Sequence, residues 1–309
     1  MFLYLQRNQE IMTMKYQTVL LTVLMMALVD TTVVRAESSS NVKNEVIKEG
    51  LILDLNADQG VKVVGGRVAS WTNQVEWKVK TFVATRDANH EKGTGHPTLK
   101  ENVAAIRGHN TVVFRRHELI NSNEEAFDHL ITGNGYTWFT VILVYSQVSG
   151  LKDVNSFFGN LKNGGKYEGF WAGLKDDNTL WIGSRNGITF GRWDENNPQV
   201  LGPKLQENRY YIVAGRMGAG TGKVKIELFV NKTTPVASKP YPVNPQANSS
   251  KMAIGQERDA TNHPGHESFD GEFARVLMWD RPLNNQEFEK TLMWLRETYG
   301  IRESEIESQ

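Results

Sequence analysis

The sequence predicts an all-β fold: two antiparallel sheets packed as a sandwich, with one short C-terminal helix. Three observations carry this. About ten short apolar runs are rich in β-branched and aromatic residues, turn residues punctuate them, and sustained helical periodicity is confined to the end of the chain. A chain of 309 residues is long enough for one large sandwich.

The elements follow in order. Leu51 to Leu55 reads as a strand ended by Asn56-Ala-Asp58-Gln-Gly60, and Val61 to Val64 as another ended by Gly65-Gly66. Thr111 to Phe114, Tyr136 to Ser146, Arg209 to Met217, Lys223 to Val230 and Met252 to Ile254 have the same composition. Tyr136 to Tyr145 is apolar on both faces, as a central strand should be. Arg209–Met217 and Lys223–Val230 flank Gly218-Ala-Gly-Thr-Gly222 and read as a hairpin. A phosphate-loop reading of "GAGTGK" fails, because Val224 follows the lysine and a strand follows the loop. In the second strand Val224, Ile226, Leu228 and Val230 alternate with Lys223, Lys225, Glu227 and Phe229, which predicts one wet face. Before residue 284 only Glu124 to Thr132 reads as a helix.

The closing segment is the best specified. Gly271 to Arg281 reads as a strand covered on both sides, with Phe273, Leu277 and Trp279 on one face and Ala274, Val276 and Met278 on the other. Asp280-Arg-Pro-Leu stops it. Asn284 is an N-cap with Glu287 three residues later, and Leu283 and Phe288 hold the staple positions. Phe288, Leu292, Leu295 and Tyr299 form one apolar stripe, and Gly300 with Ile301 ends the helix.

Composition excludes several classes. With 35 basic and 35 acidic side chains the net charge is zero, so nothing argues for nucleic acid as a partner. The absence of cysteine removes disulfides, thiolate metal sites and cysteine nucleophiles. The apolar run Thr18 to Val29, with Val34-Arg35-Ala36 beyond it, reads as a secretory signal. The expected organisation is therefore an extension and signal over 1–36, a polar lead-in over 37–46, the sandwich over 47–303 and a tail over 304–309. The mature chain is expected to have no transmembrane span and to be secreted, periplasmic or on the cell envelope.

"LILDLNADQGV…GGRVASWTNQ" (Leu51 to Gln74), "GHNTVVF" (Gly108 to Phe114), "GYTWFTVILVY" (Gly135 to Tyr145) and "FDGEFARVLMWDRPLNNQEFEKTLMWLRETYGI" (Phe269 to Ile301) carry a resemblance. In this order they resemble the laminin-G-like, concanavalin A-like lectin/glucanase superfamily over roughly residues 47–303, and in particular domains of secreted bacterial proteins. The resemblance implies a jelly roll of two antiparallel sheets. It also implies binding of glycans or proteins, often with calcium, with glycoside hydrolases and polysaccharide lyases among the relatives. The E-x-D-x-x-E motif of the hydrolase branch is absent. Arg116-His117-Glu118-Leu119 resembles the R-x-E-L strand of jelly-roll alginate lyases, but their Q-[IV]-H motif is absent.

The expected function is a secreted, non-catalytic domain that binds a polysaccharide, a glycoconjugate or a surface protein. The alternatives are a polysaccharide lyase or glycoside hydrolase on the same fold, or a structural envelope module. Sugar rings stack on flat aromatic faces, so Trp171, Trp181 and Trp193, with Arg192 and the loop histidines His263 and His266, are the ligand-binding candidates. A two- or four-residue turn between Leu174 and Thr179 puts Trp171 and Trp181 on opposite faces; a three- or five-residue turn puts them on one. A lyase would use Arg115, Arg116 and His117, because elimination beside a uronate needs a cation and a base. No cofactor is required. Calcium is the cation that carboxylates would hold, and Asp54, Asp58 and Asp270 are its candidates.

Overall fold

Eighteen strands and one α-helix are present among the described residues of the computed structural model, which are 46–84, 96–148, 155–163, 166–191, 193–249, 251–256 and 268–303. The predicted leader, most of the lead-in and the tail at 304–309 lie outside them. The described residues belong to a unit spanning Asn44–Gln309. No helix among them is long and apolar enough to cross a membrane.

The strands run β1 (Leu51–Asn56), β2 (Val61–Val64), β3 (Arg67–Thr72), β4 (Thr81–Val83), β5 (Thr98–Val103), β6 (His109–Arg115), β7 (Leu119–Ile120), β8 (Tyr136–Val144) and β9 (Asn155–Gly159). They continue with β10 (Lys162–Asn163), β11 (Tyr167–Leu174), β12 (Thr179–Asn186), β13 (Gln199–Lys204), β14 (Tyr210–Met217), β15 (Gly222–Val230), β16 (Ala237–Val243), β17 (Ala253–Ile254) and β18 (Asp270–Trp279). Helix α1 (Asn285–Tyr299) closes the chain.

Two sheets result. One has eight strands in the order β16-β15-β14-β8-β18-β6-β5, with β1 also paired to β18. The other has ten in the order β13-β12-β11-β9-β17-β7-β4-β3-β2, with β10 paired to β11. All strand pairs are antiparallel, and the sheets form the jelly-roll sandwich that the sequence predicts. The interlayer core takes Ile142 and Val144 from β8, Val276 and Met278 from β18, and Phe170, Ala172 and Leu174 from β11. A second apolar layer lies on the outer face of the eight-stranded sheet. There Phe139, Ile212, Phe229, Leu277 and Trp279 meet Phe288, Leu292 and Leu295 of α1. Each such side chain contributes roughly 1.5–3 kcal/mol when fully buried.

Helix α1 forms as its local signals require. Asn284 Oδ1 accepts from the Glu287 amide at 3.0 Å, and Glu287 Oε2 accepts from the Asn284 amide at 2.9 Å. Arg281 holds the same carboxylate with two hydrogen bonds of 2.8 Å. Gly300 stops the helix at φ +70°, in the left-handed region.

Three expectations are corrected. Glu124 to Thr132 forms turns and one 3-10 turn, Asp128–Leu130, instead of a helix. Asn121 and Asn123 accept from backbone amides two residues on, which competes with helical pairing, and Ala126, Phe127, Leu130 and Ile131 are all buried. In β18 a register shift between Phe273 and Arg275 breaks simple alternation. It sends Phe273 to the interlayer core with Val276 and Met278, and leaves Leu277 and Trp279 under α1 with Ala274. On β15 the predicted wet face holds only for Lys223 and Lys225, because Phe229 is covered by Phe288 at 4.3 Å between ring centroids.

Candidate functional site

The β11–β12 hairpin places two tryptophans on one face. The turn spans residues 175–179, Leu174 pairs with Leu180, and Gly173 therefore pairs with Trp181 while Trp171 pairs with Gly183. Phe170, Ala172, Leu180 and Ile182 point to the interlayer core. Trp171 and Trp181 form a separate cluster on the outer face of the ten-stranded sheet, with Leu161, Tyr167 and Trp193.

Glycines make room for the rings. A Cβ on Gly173 would meet Trp181 Cζ2 at 2.8 Å, one on Gly183 would meet Trp193 Cζ3 at 3.2 Å, and one on Gly159 would meet the Phe170 carbonyl at 2.7 Å beside Trp171. The indoles pack in both ways that aromatic quadrupoles favour. Trp171 and Trp193 stack at 5.3 Å with planes 24° apart, and Trp181 stands edge-on to Trp171 at 5.2 Å and 84°. The Arg185 guanidinium lies 4.3 Å from the Tyr167 ring centroid, 5.0 Å from Trp171 and 5.4 Å from Trp193. Tyr167 stacks on Phe190, which is 58% exposed.

Trp171 and Trp181 are thus not the open platforms that the sequence suggested. They are 2% and 0% exposed, because Trp193 and the hairpin's own side chains cover them. Their indole Nε1 atoms are buried without a hydrogen-bond partner. A buried donor left unpaired costs about 1–3 kcal/mol. Trp193 remains half-buried at the rim.

Asp194 fixes the position of Trp193. Its Oδ1 accepts from the Asn196 and Asn197 amides and from Asn197 Nδ2, and its Oδ2 accepts from Thr189 Oγ1 at 2.7 Å. Burial pushes this carboxyl up, but the hydrogen bonds from Thr189, Asn196 and Asn197 outweigh it and hold it below the usual carboxylate range. The loop can then keep Trp193 at φ +66°, an unfavourable backbone conformation for a bulky residue. Beside Trp193 opens a cleft of about 360 Å³, lined by Asp194, Glu195, Gln199, Lys223 and Lys239 with three prolines.

The other candidates fall elsewhere. Arg192, His263 and His266 lie outside the described residues. Asp54 grips Arg275 through both oxygens, at 2.8 and 2.7 Å. Asp58 accepts from the Asn110 amide at 2.8 Å and lies 2.6 Å from His109 Nδ1. These two carboxylates are therefore committed to protein partners rather than turned toward a shared cation. Asp270 is buried beside Arg115 and Arg116, and burial raises its carboxyl against their opposing charge. Among the described residues no three His, Asp or Glu side chains converge as metal ligands would.

Arg115, Arg116 and His117 stand together where the chain leaves β6 for β7. The Arg115 guanidinium stacks on the Tyr145 ring at 3.6 Å, and the Arg115 amide lies 3.3 Å from His117 Nδ1. Burial, then the charges of Arg67, His96, Arg116 and Arg115, push His117 down to about 4.

One polar cluster was not anticipated. Glu272 on β18 is fully buried and accepts from Lys100 Nζ at 2.8 Å, Thr111 Oγ1 at 2.7 Å, and the hydroxyls of Tyr145 and Tyr210. Burial pushes Glu272 up, and these four donors more than offset it. An acid inside a strand apolar on both faces was the available signal, since a buried charge must be matched by donors.

The sequence from 122 to 288, more than half of the chain, matches the family model described as the concanavalin A-like lectin/glucanases superfamily. No curated protein matches the sequence. Among solved structures, the Trypanosoma rangeli sialidase in complex with sialic acid aligns at TM-score 0.49 and 12% identity, over 82% of this chain and 34% of that one. The chain thus spans about a third of the sialidase's length. The heptameric SAP-like pentraxin from Limulus polyphemus aligns at TM-score 0.35 and 16% identity, over 52% of this chain and 69% of that one. The binding domain of Paraclostridial Mosquitocidal Protein 1 aligns at TM-score 0.44 and 12% identity, over 80% and 52%. The family match, together with two antiparallel sheets in sandwich order, shows that the chain belongs to the concanavalin A-like lectin/glucanases superfamily.

Proposed function

We propose that the domain is a non-catalytic module that binds a carbohydrate on the tryptophan-bearing face of its ten-stranded sheet. The observation that carries this is Trp193, stacked on Trp171 and presented half-buried at the mouth of the cleft by a loop that Asp194 organises. A pyranose ring combines apolar C–H faces with hydroxyl edges. It suits a site in which an indole face adjoins Gln199, Glu195 and two lysines. Asp194, the central carboxylate of this region, has both oxygens occupied by the loop, which favours binding over hydrolysis there. The reading takes the domain to act outside the cytoplasm, as the segment from Thr18 to Val29 predicts.

The test is a polysaccharide array probed with the intact protein and with Trp193→Ala, reading retention, reducing ends and the absorbance of unsaturated uronates. Retention without product, weakened about tenfold or more in Trp193→Ala as expected for a central aromatic anchor, supports the proposal. Product formation that survives washing and purification, or absence of retention on every glycan, overturns it.

A further inference from the structure

We propose that Arg67, Arg115, Arg116 and His117 form an anion-binding site, separate from the tryptophan face, that takes a carboxylate or sulfate group of an acidic polysaccharide. The choice of a polysaccharide rests on the glycan-binding reading above; the anion site does not.

Three segments build the cluster. Arg67 begins β3, and the next residue, Val68, donates to the Pro97 carbonyl at 2.8 Å while its own carbonyl lies 3.0 Å from His96 Nδ1. This ties Arg67 and His96 together. Arg116 has φ +60°, and its amide donates to the Phe269 carbonyl at 3.1 Å, which turns the chain sharply between Arg115 and His117. β3, β4 and β7 are neighbours with Ser70, Val83 and Ile120 in register, so Arg67 and His117, each three residues earlier, stand at the same end of that sheet. There the charges of Arg67, His96, Arg115 and Arg116 all reach the imidazole.

The positive charge is not balanced locally. Four other described arginines are balanced by carboxylates: Arg216 pairs with Glu227, Arg275 with Asp54, Arg281 with Glu287 and Arg296 with Glu303. Among the described residues, Arg67, Arg115 and Arg116 have neither an ion pair nor a side-chain hydrogen bond, and Arg67 and Arg115 are exposed. Buried Asp270 offsets part of the charge without reaching ion-pair distance, and Glu118 beside His117 is buried within its own contacts. In a chain of zero net charge, three such guanidiniums at one place form a local positive potential. Guanidinium is the cation whose planar donors match carboxylate and sulfate oxygens.

The histidine supplies a donor rather than a base. With Nδ1 facing the Arg115 amide as acceptor, the neutral imidazole carries its proton on Nε2. That N–H can donate to an anion's oxygen, whereas a general base would need Nε2 free of its proton. The geometry therefore assigns these residues to recognition of the charged group rather than to its elimination.

The experiment follows the imidazole signals of His117 by NMR in the intact protein, titrated with galacturonate, sodium sulfate and, as a neutral control, galactose. In parallel, retention on polygalacturonate and on neutral galactan is measured for the wild type, Arg67→Gln, Arg116→Gln and Arg67→Lys. Expected are His117 shifts with galacturonate and sulfate but not with galactose. Polygalacturonate binding should weaken roughly tenfold for each guanidinium lost, with partial recovery in Arg67→Lys and no change on galactan. Unmoved His117 signals, or equal polygalacturonate retention by the Gln variants, overturn the anion site. Anion-dependent shifts without retention on any polysaccharide leave the anion site standing and overturn the glycan reading.

Discussion

Gly173 lies directly opposite Trp181 across the β11–β12 pair, and the indole fills the space that a side chain on Gly173 would need. Gly183 lies opposite Trp171 two positions further along, and there the Trp193 ring fills the space. The aromatic face is thus built into the hairpin, and the three glycines beneath it predict a graded series. Gly159→Ala puts a methyl against the backbone carbonyl of Phe170 and the base of the Trp171 side chain, neither of which can swing away. Gly173→Ala meets the Trp181 ring at 2.8 Å, and Gly183→Ala meets the Trp193 ring at only 3.2 Å. Overpacking costs about 1–3 kcal/mol. Urea midpoints should therefore fall most for Gly159→Ala, less for Gly173→Ala and least for Gly183→Ala.

The loop that carries Trp193 depends on one carboxylate. Asp194→Ala removes the acceptor for Thr189, Asn196 and Asn197 together. Because the loop lies outside the main core, global stability should change by about 1 kcal/mol or less. Trp193 should lose its fixed stacking on Trp171, which near-ultraviolet circular dichroism reports. Glycan retention should fall to the level of Trp193→Ala. Wild-type retention with an altered spectrum would remove Trp193 placement from the binding mechanism.

Glu272 ties four segments together through its carboxylate and is expected to act as a stability element. Glu272→Ala strands the donors of Lys100, Thr111, Tyr145 and Tyr210 around an empty site and should cost about 3 kcal/mol or more. Its carboxyl is held below the ordinary range in the folded chain. The stability it confers is present above the unfolded value and is lost as pH falls through the folded one. Denaturation midpoints of Glu272→Gln should therefore start lower than those of the wild type at pH 7 and decline less steeply below the ordinary glutamate range. Parallel declines would show that Glu272 titrates alike in both states.

What was legible in the sequence divides by range. The cap of α1 is local, with Asn284 and Glu287 three residues apart, and both of its hydrogen bonds form. The β-branched and aromatic composition of β8 and β14 is also local, and both strands lie where expected. The bulge at Phe273/Arg275 depends on pairing with β8, so simple alternation assigned Phe273 to the wrong face. The shared face of Trp171 and Trp181 depended on a turn length that residue types left open. The arginine cluster joins Arg67 to residues 115–117 through the crossing from one sheet to the other, a distance in sequence that no short motif spans. Glu272 was overlooked because its four donors come from β5, β6, β14 and the end of β8.

The arginine cluster leaves a mark on acid stability through His117. In the folded chain His117 is pushed down to about 4, first by burial and then by Arg67, His96, Arg116 and Arg115; the ordinary value is 6.5. Above pH 6.5 the imidazole is neutral in both states, and its contribution is complete. As pH falls from 6.5 toward 4, the unfolded chain takes up a proton that the folded chain refuses, so stability declines. Below about 4 both states are protonated, and this loss levels off. His117→Asn retains an acceptor for the Arg115 amide but does not titrate, so its destabilisation relative to wild type should shrink between pH 6.5 and 4. The carboxylates titrate alike in both proteins and cancel from the comparison. Urea midpoints of the two proteins measured across this range decide the matter: converging curves place a neutral histidine among the arginines, and parallel curves would mean that His117 titrates as an exposed imidazole and that the cations do not converge on it.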